Sequence, residues 1–203
     1  MPKISAIFFD VGGVLLTNGW DRHSRKRLAD QFQLDWEDFE DRHELIGTEL
    51  ETGKLSLDHY LERTIFYRQH NFTPQDIKDF MFAQSRALSG SLEFIARLSQ
   101  NKKYLLATLN NESRELNAFR IQKFGLREYF TVFFSSCFLG VKKPDEAIYH
   151  LALNISQRSP EECVFVDDRQ LNLECARRLG METIHFHGID QLEHSLRKAG
   201  VEI

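Results

Sequence analysis

The sequence predicts an α/β protein, a parallel sheet with helices on both faces that carries a small all-helical insertion, and three observations predict it. Short apolar, β-prone runs alternate with helix-period segments through the second half of the 203-residue chain. The first such run, Ile4 to Phe9, stops abruptly at Asp10 and gives way to Val11-Gly12-Gly13, as a buried strand does on entering a tight loop. The next strand-like run begins only near Tyr104, and the stretch between them is polar, aromatic-rich and helical in period.

Taken in order, residues 1–16 and 89–203 are expected to form the α/β core, and residues 17–88 the helical insertion. Within the insertion, Thr73-Pro74-Gln75-Asp76 carries the marks of a helix start: an N-cap hydroxyl, proline at the first position and an acid at the third. After it the pattern gives a helix near Ser91 to Gln100, a strand Tyr104 to Ala107, a helix near Glu115 to Phe124 and a strand Val132 to Ser135. There follow a helix from about Pro144 to Leu153, a strand Cys163 to Val166, a helix from about Leu171 to Leu179 and a strand Thr183 to Phe186.

Composition narrows the function. At 42% hydrophobic and 28% charged the chain is ordinary globular protein, with a net charge of −4 and no long basic run, so neither a nucleic-acid nor a membrane partner is expected. The densest basic cluster, Arg22, Arg25, Lys26 and Arg27, reads as a solvated helix face. Cys137, Cys163 and Cys175 show no ligand-like spacing and read as reduced thiols. The N-terminal apolar stretch is too short for a secretory signal, which makes a cytoplasmic protein the expectation.

Polar residues recur where strands end: Asp10 after Ile7-Phe8-Phe9, Thr108 and Asn110 after Leu105-Leu106-Ala107, and Asp167-Asp168 after Val164-Phe165-Val166. The carboxyl ends of the strands line the ligand crevice of an open α/β sheet, so these groups should converge. Lys143, in the loop before Pro144, belongs to the same edge. Carboxylates beside a lysine and a glycine loop suit a hard cation and a phosphate, and hence phosphoryl transfer. One carboxylate must then be the nucleophile, because no Ser or Cys in this arrangement has an evident general base.

Through Phe9-Asp10-Val11-Gly12-Gly13-Val14, the Thr108 to Asn110 segment, Lys143-Pro144, and Val166-Asp167-Asp168 followed by Asn172, the chain resembles the haloacid-dehalogenase-like superfamily over its whole length. The helical insertion resembles the small cap found at that place in the subgroup of sugar-phosphate phosphatases, dehalogenases and the phosphatase half of soluble epoxide hydrolase. The resemblance implies a Rossmann-like core and an Mg2+-dependent phosphatase of a small phosphorylated metabolite. Asp10 would be phosphorylated, Lys143 would balance charge, and Asp10, Asp168 and the Gly12 carbonyl would hold Mg2+, with Asp167 reaching it through water and Asn172 steadying the loop. Where the family has Ser or Thr followed directly by Asn to bind phosphate, Leu109 separates Thr108 from Asn110, so either Thr108 or Asn110 alone takes that part. Gly12 stands where many family phosphatases carry a second Asp as acid and base. A weakly active binding protein and a 2-haloacid dehalogenase are the alternatives, and the Asp167-Asp168 pair argues against the latter.

Among the remaining candidates, Tyr149 reads as helix packing and His185 with His187 as a strand face. Trp20, Arg22 and His23 face the crevice or pack the insertion on the core.

Overall fold

The computed structural model describes residues 3–203. Five parallel strands, β1 (Ala6–Phe9), β2 (Leu105–Asn110), β3 (Val132–Ser135), β4 (Cys163–Asp167) and β5 (Glu182–His185), form one sheet in the order β3-β2-β1-β4-β5. The chain leaves β1 for β2 on one side and later crosses back to β4 on the other. The carboxyl end of β1 is therefore the topological switch point, where such sheets hold their ligands. Register fixes what meets there: Phe9 lies between Thr108 and Val166, and the next residue, Asp10, donates its amide to the Val166 carbonyl at 2.9 Å.

Period-two alternation sorts each strand between two cores. Ile7, Phe9, Leu106, Val164 and Val166 face α5 (Ser91–Gln100), α6 (Arg114–Lys123) and α10 (Ile189–Lys198). Ala6, Phe8, Ala107, Leu109 and Phe165 face α8 (Glu146–Ser156) and α9 (Gln170–Arg178). The one-turn helix α7 (Ser136–Leu139) follows β3 directly.

Between β1 and α5 the chain forms α1 (Arg22–Phe32), α2 (Trp36–Glu51), α3 (Leu57–Thr64) and α4 (Pro74–Ala83), packed about their own cluster of Leu28, Phe39, Leu50, Tyr60, Leu61 and Met81. Each start is capped by a side chain, Asp21, Asp35, Ser56 or Thr73, and at α4 Thr73 and Asp76 form the reciprocal capping box. The outgoing and returning segments are laced together: Leu16 bridges Ala87, and the Thr17 amide donates to the Arg86 carbonyl at 2.8 Å.

Four details depart from the sequence pattern. Strand β2 runs on to Asn110 instead of ending at Ala107, because Thr108 and Leu109 are buried and stay in register with Phe133 and Phe134. The helix expected from Pro144 begins at Glu146, since Asp145 is its N-cap and accepts the Ala147 amide at 2.9 Å. Helices α7 and α10 had no counterpart in that pattern. Arg25 is no solvated residue: it is 7% exposed, and its guanidinium forks onto both Glu40 carboxylate oxygens at 2.8 Å. The three cysteines are buried and free, and no helix among the described residues is long and apolar enough to cross a membrane.

Candidate active site

Asp10 leaves the central strand with its carboxylate fixed from two sides. Oδ1 accepts the Val11 amide at 2.7 Å, and Oδ2 lies 3.1 Å from the Lys143 ammonium. That ammonium donates at 2.6 Å to Asp167, whose oxygens also take the Arg169 amide at 2.8 Å and the Asn172 amide at 3.0 Å. Tyr149, buried against Phe165, donates its hydroxyl to the Asn172 carbonyl and so packs the start of α9.

Electrostatically the group is unbalanced. Oxygens of Asp10, Asp167 and Asp168 lie within 4.8 Å of one another, with Lys143 the cation inside the group. Burial pushes Asp10 up to about 7 against the pull of Lys143, and the charge of Asp167 adds to the rise. Asp168 is raised as well, by burial and then by Asp167. Lys143 stays protonated despite its burial, because Asp10 and Asp167 outweigh the loss of water.

One atom shows what would restore balance. Oδ1 of Asp168 is buried with no hydrogen-bond partner. Its other oxygen sits where a Cβ on Gly13 would fall 2.2 Å away, so Gly13, at φ +77°, gives the carboxylate room. A hard divalent cation fits this donor set, since it prefers carboxylate oxygens and would both satisfy Asp168 and offset the excess charge. Among the described residues no other group of three or more His, Cys, Asp or Glu side chains has such spacing. His185 instead hydrogen-bonds the Asp168 carbonyl at 3.0 Å.

Asp10, Gly12, Lys143 and Asn172 line a cleft of about 300 Å³. Thr108 and Asn110 do not. Both project with Leu106 toward α6, and Thr108 is fully buried with its hydroxyl unpartnered. Asn110 donates to Asn117 at 3.2 Å and accepts from Ser135 at 3.0 Å.

The residue that β2 does deliver is Asn111, which the sequence pattern passed over. Its amide clasps Lys143 on both sides, donating to the carbonyl at 2.8 Å and accepting the backbone amide at 2.9 Å. Glu112 and Arg120 were also passed over. Both line the cleft, paired at 2.9 Å, and Arg120 reaches on to Ser85 at 3.0 Å and the Thr17 carbonyl at 2.8 Å. The adjacent Asn110-Asn111 pair at a strand end was a readable signal for the first; nothing local marks the second pair.

From the helical layer come Asn18, Trp20 and Glu51. Trp20 donates its indole N–H to Tyr60 at 3.2 Å, and Tyr60 is bonded to His43 at 2.8 Å, a ring that burial and then Arg25 hold down at about 4 and hence neutral. Arg22 lies instead over Trp36, near Glu40.

Residues 4–180 match the family model of haloacid dehalogenase-like hydrolases. The chain belongs to that family. Flavin mononucleotide hydrolase 1 of Arabidopsis thaliana is 28% identical over 171 residues, covering 80% of this chain and 65% of that one. Bifunctional epoxide hydrolase 2 of Sus scrofa is 39% identical over 79 residues, covering 38% of this chain and 14% of the relative. The chain thus spans less than two thirds of the length of these curated relatives. In three dimensions it superposes on a haloacid dehalogenase family enzyme of Bacteroides thetaiotaomicron with a TM-score of 0.79 at 20% identity, covering 97% of this chain and 100% of that one. The same enzyme has been crystallised with magnesium and inorganic phosphate.

Proposed function

We propose that this hydrolase is an Mg2+-dependent phosphatase of small phosphorylated metabolites, with Asp10 as nucleophile and the four helices α1–α4 acting as a cap over the cleft. The observation that carries the reading is the buried Lys143 ammonium shared by Asp10 and Asp167, beside an Asp168 oxygen left without a partner. A dehalogenase that attacks carbon in a carboxylate-bearing substrate gains nothing from the extra acids, whereas a metal-assisted phosphoryl transfer needs them.

Asp10, Asp168 and the Gly12 carbonyl would hold Mg2+, with Asp167 reaching it through water. When bound, the ion supplies positive charge to the phosphoryl oxygens and keeps Asp10 ionised near neutrality. Asp10 attacks phosphorus to give an aspartyl-phosphate, the leaving alcohol departs, and water then attacks the same phosphorus and returns Asp10. Lys143 neutralises charge on Asp10 and on the transferring group, while Asn172 and Arg169 hold Asp167 still. The kinship with a flavin mononucleotide hydrolase makes that phosphomonoester the first substrate to try, followed by sugar phosphates.

Phosphate release from a panel of phosphomonoesters, with Mg2+ and with EDTA, tests the reading. Release that EDTA and Asp10→Asn both abolish is the expected result. A folded, metal-binding protein inert across the panel would contradict it and favour a binding role.

A further inference from the structure

Position 12 lacks a carboxyl, yet the cleft does not lack one beside it. A Cβ built on Gly12 would lie 2.8 Å from Asn18 Oδ1 and 3.7 Å from Nη1 of Arg120, and that same Nη1 is held at 2.9 Å by Glu112. The Glu112 carboxyl therefore stands one guanidinium away from where a side chain of residue 12 would begin. Its backbone is anchored as firmly as the lysine loop: Asn111, the residue before, clasps Lys143, and the Glu112 amide donates to Ser136 at 3.0 Å.

The carboxyls that the helical layer brings to the cleft, Glu51 and Asp21, are less buried than Glu112 and have their own partners. Glu51 pairs with Lys142 at 2.6 Å, and Asp21 caps α1 through the Ser24 amide at 2.8 Å. We propose that Glu112 is the acid and base of this site, giving a proton to the leaving oxygen and later taking one from the attacking water. The proposal rests on the phosphatase reading above.

The protons balance. In the first half the Asp10–phosphorus bond forms, the bond from phosphorus to the leaving oxygen breaks, and the Glu112 proton passes to that oxygen to give the alcohol. In the second, Glu112 carboxylate takes a proton from water as its oxygen bonds phosphorus; the Asp10–phosphorus bond breaks, and Glu112 ends protonated. The groups facing Glu112 allow both states: burial pushes its carboxyl up to about 7, Arg120 from α6 pulls it back, Glu51 from α2 raises it, and the Ser113 amide lowers it.

Glu112→Gln preserves size and a hydrogen bond to Arg120, and leaving-group dependence separates chemistry from support. With 4-nitrophenyl phosphate, whose leaving group needs no proton, cleavage in a single turnover should fall less than about 10-fold. With an alkyl phosphate it should fall about 10²- to 10⁴-fold, and the decline of wild-type kcat/KM above about pH 7 should vanish in the variant. Equal losses on both substrates, or none on either while the wild type turns over, would overturn the role of Glu112 and leave the phosphatase reading intact. A wild type inert toward every phosphomonoester would overturn both.

Discussion

On one wall of the cleft Lys143 stands 3.1 Å from Asp10 and 2.6 Å from Asp167, with Asp168 alongside; on the other, Arg120 stands 2.9 Å from Glu112 and reaches to Ser85 and Thr17. Each wall is a buried charge cluster around one cation, but the first counts three acids against it and the second one. The second wall is electrically complete as folded, and it ties both linkers of the helical layer to α6. The first is left with a net negative charge and an unpartnered oxygen, a state that burial makes unfavourable and that a bound cation would relieve. The excess charge is concentrated around the proposed nucleophile, and the balanced pair, which holds the proposed acid and base, lies where the helical layer is tied to α6.

Lys143→Met should have the largest effect. It strips the first wall of its cation, should abolish turnover, and should destabilise the protein by about 3–5 kcal/mol in urea unfolding without metal. Arg120→Met should cost a similar or smaller amount, about 3 kcal/mol, because it leaves Glu112 buried and unpaired and frees Thr17 and Ser85. Here activity should fall both through displacement of the helical layer, read as a raised KM, and through the loss of the charge that holds the Glu112 carboxyl down, read as a shift of the alkaline limb of kcat/KM to higher pH.

Smaller effects follow from protonation. Asp10, Asp168 and Glu112 are all raised on folding, so the folded state binds protons more tightly than the unfolded chain. Stability from these groups is present below the unfolded carboxyl range and is lost as pH rises from about 4 toward about 7. Metal-free thermal scans should show that decline, and Mg2+ should reverse it at neutral pH. Asp168→Asn should raise the metal-free midpoint and remove the Mg2+ effect. Smallest of all, Thr108→Val should leave KM within about twofold and stability within about 1 kcal/mol, since it removes a buried hydroxyl that bonds nothing.

The first wall was legible in the sequence because each member ends or follows a strand, precedes a helix or lies in its first turn on one edge, and strand order alone makes such residues converge. Asp10, Lys143, Asp167, Asp168 and Asn172 all sit where that logic puts them. Thr108 misled because the strand was ended at Ala107; three more paired residues carry it to Asn110 and turn Thr108 into the core. Arg25 misled because its partner Glu40 lies 15 residues away on the next helix, where no periodicity of α1 could announce it. Arg120 was illegible for the same reason at longer range: it meets Thr17 across 103 residues, a contact set only when the insertion is folded back by its linkers.

A phosphatase of this design carries the phosphoryl group on Asp10 during turnover. Borohydride added during turnover reduces an aspartyl-phosphate to homoserine, which mass spectrometry of the peptide spanning Asp10 would locate. Homoserine is expected at position 10, formed only with both Mg2+ and substrate present. Steady phosphate release with residue 10 unmodified, and retained by Asp10→Asn, would contradict it.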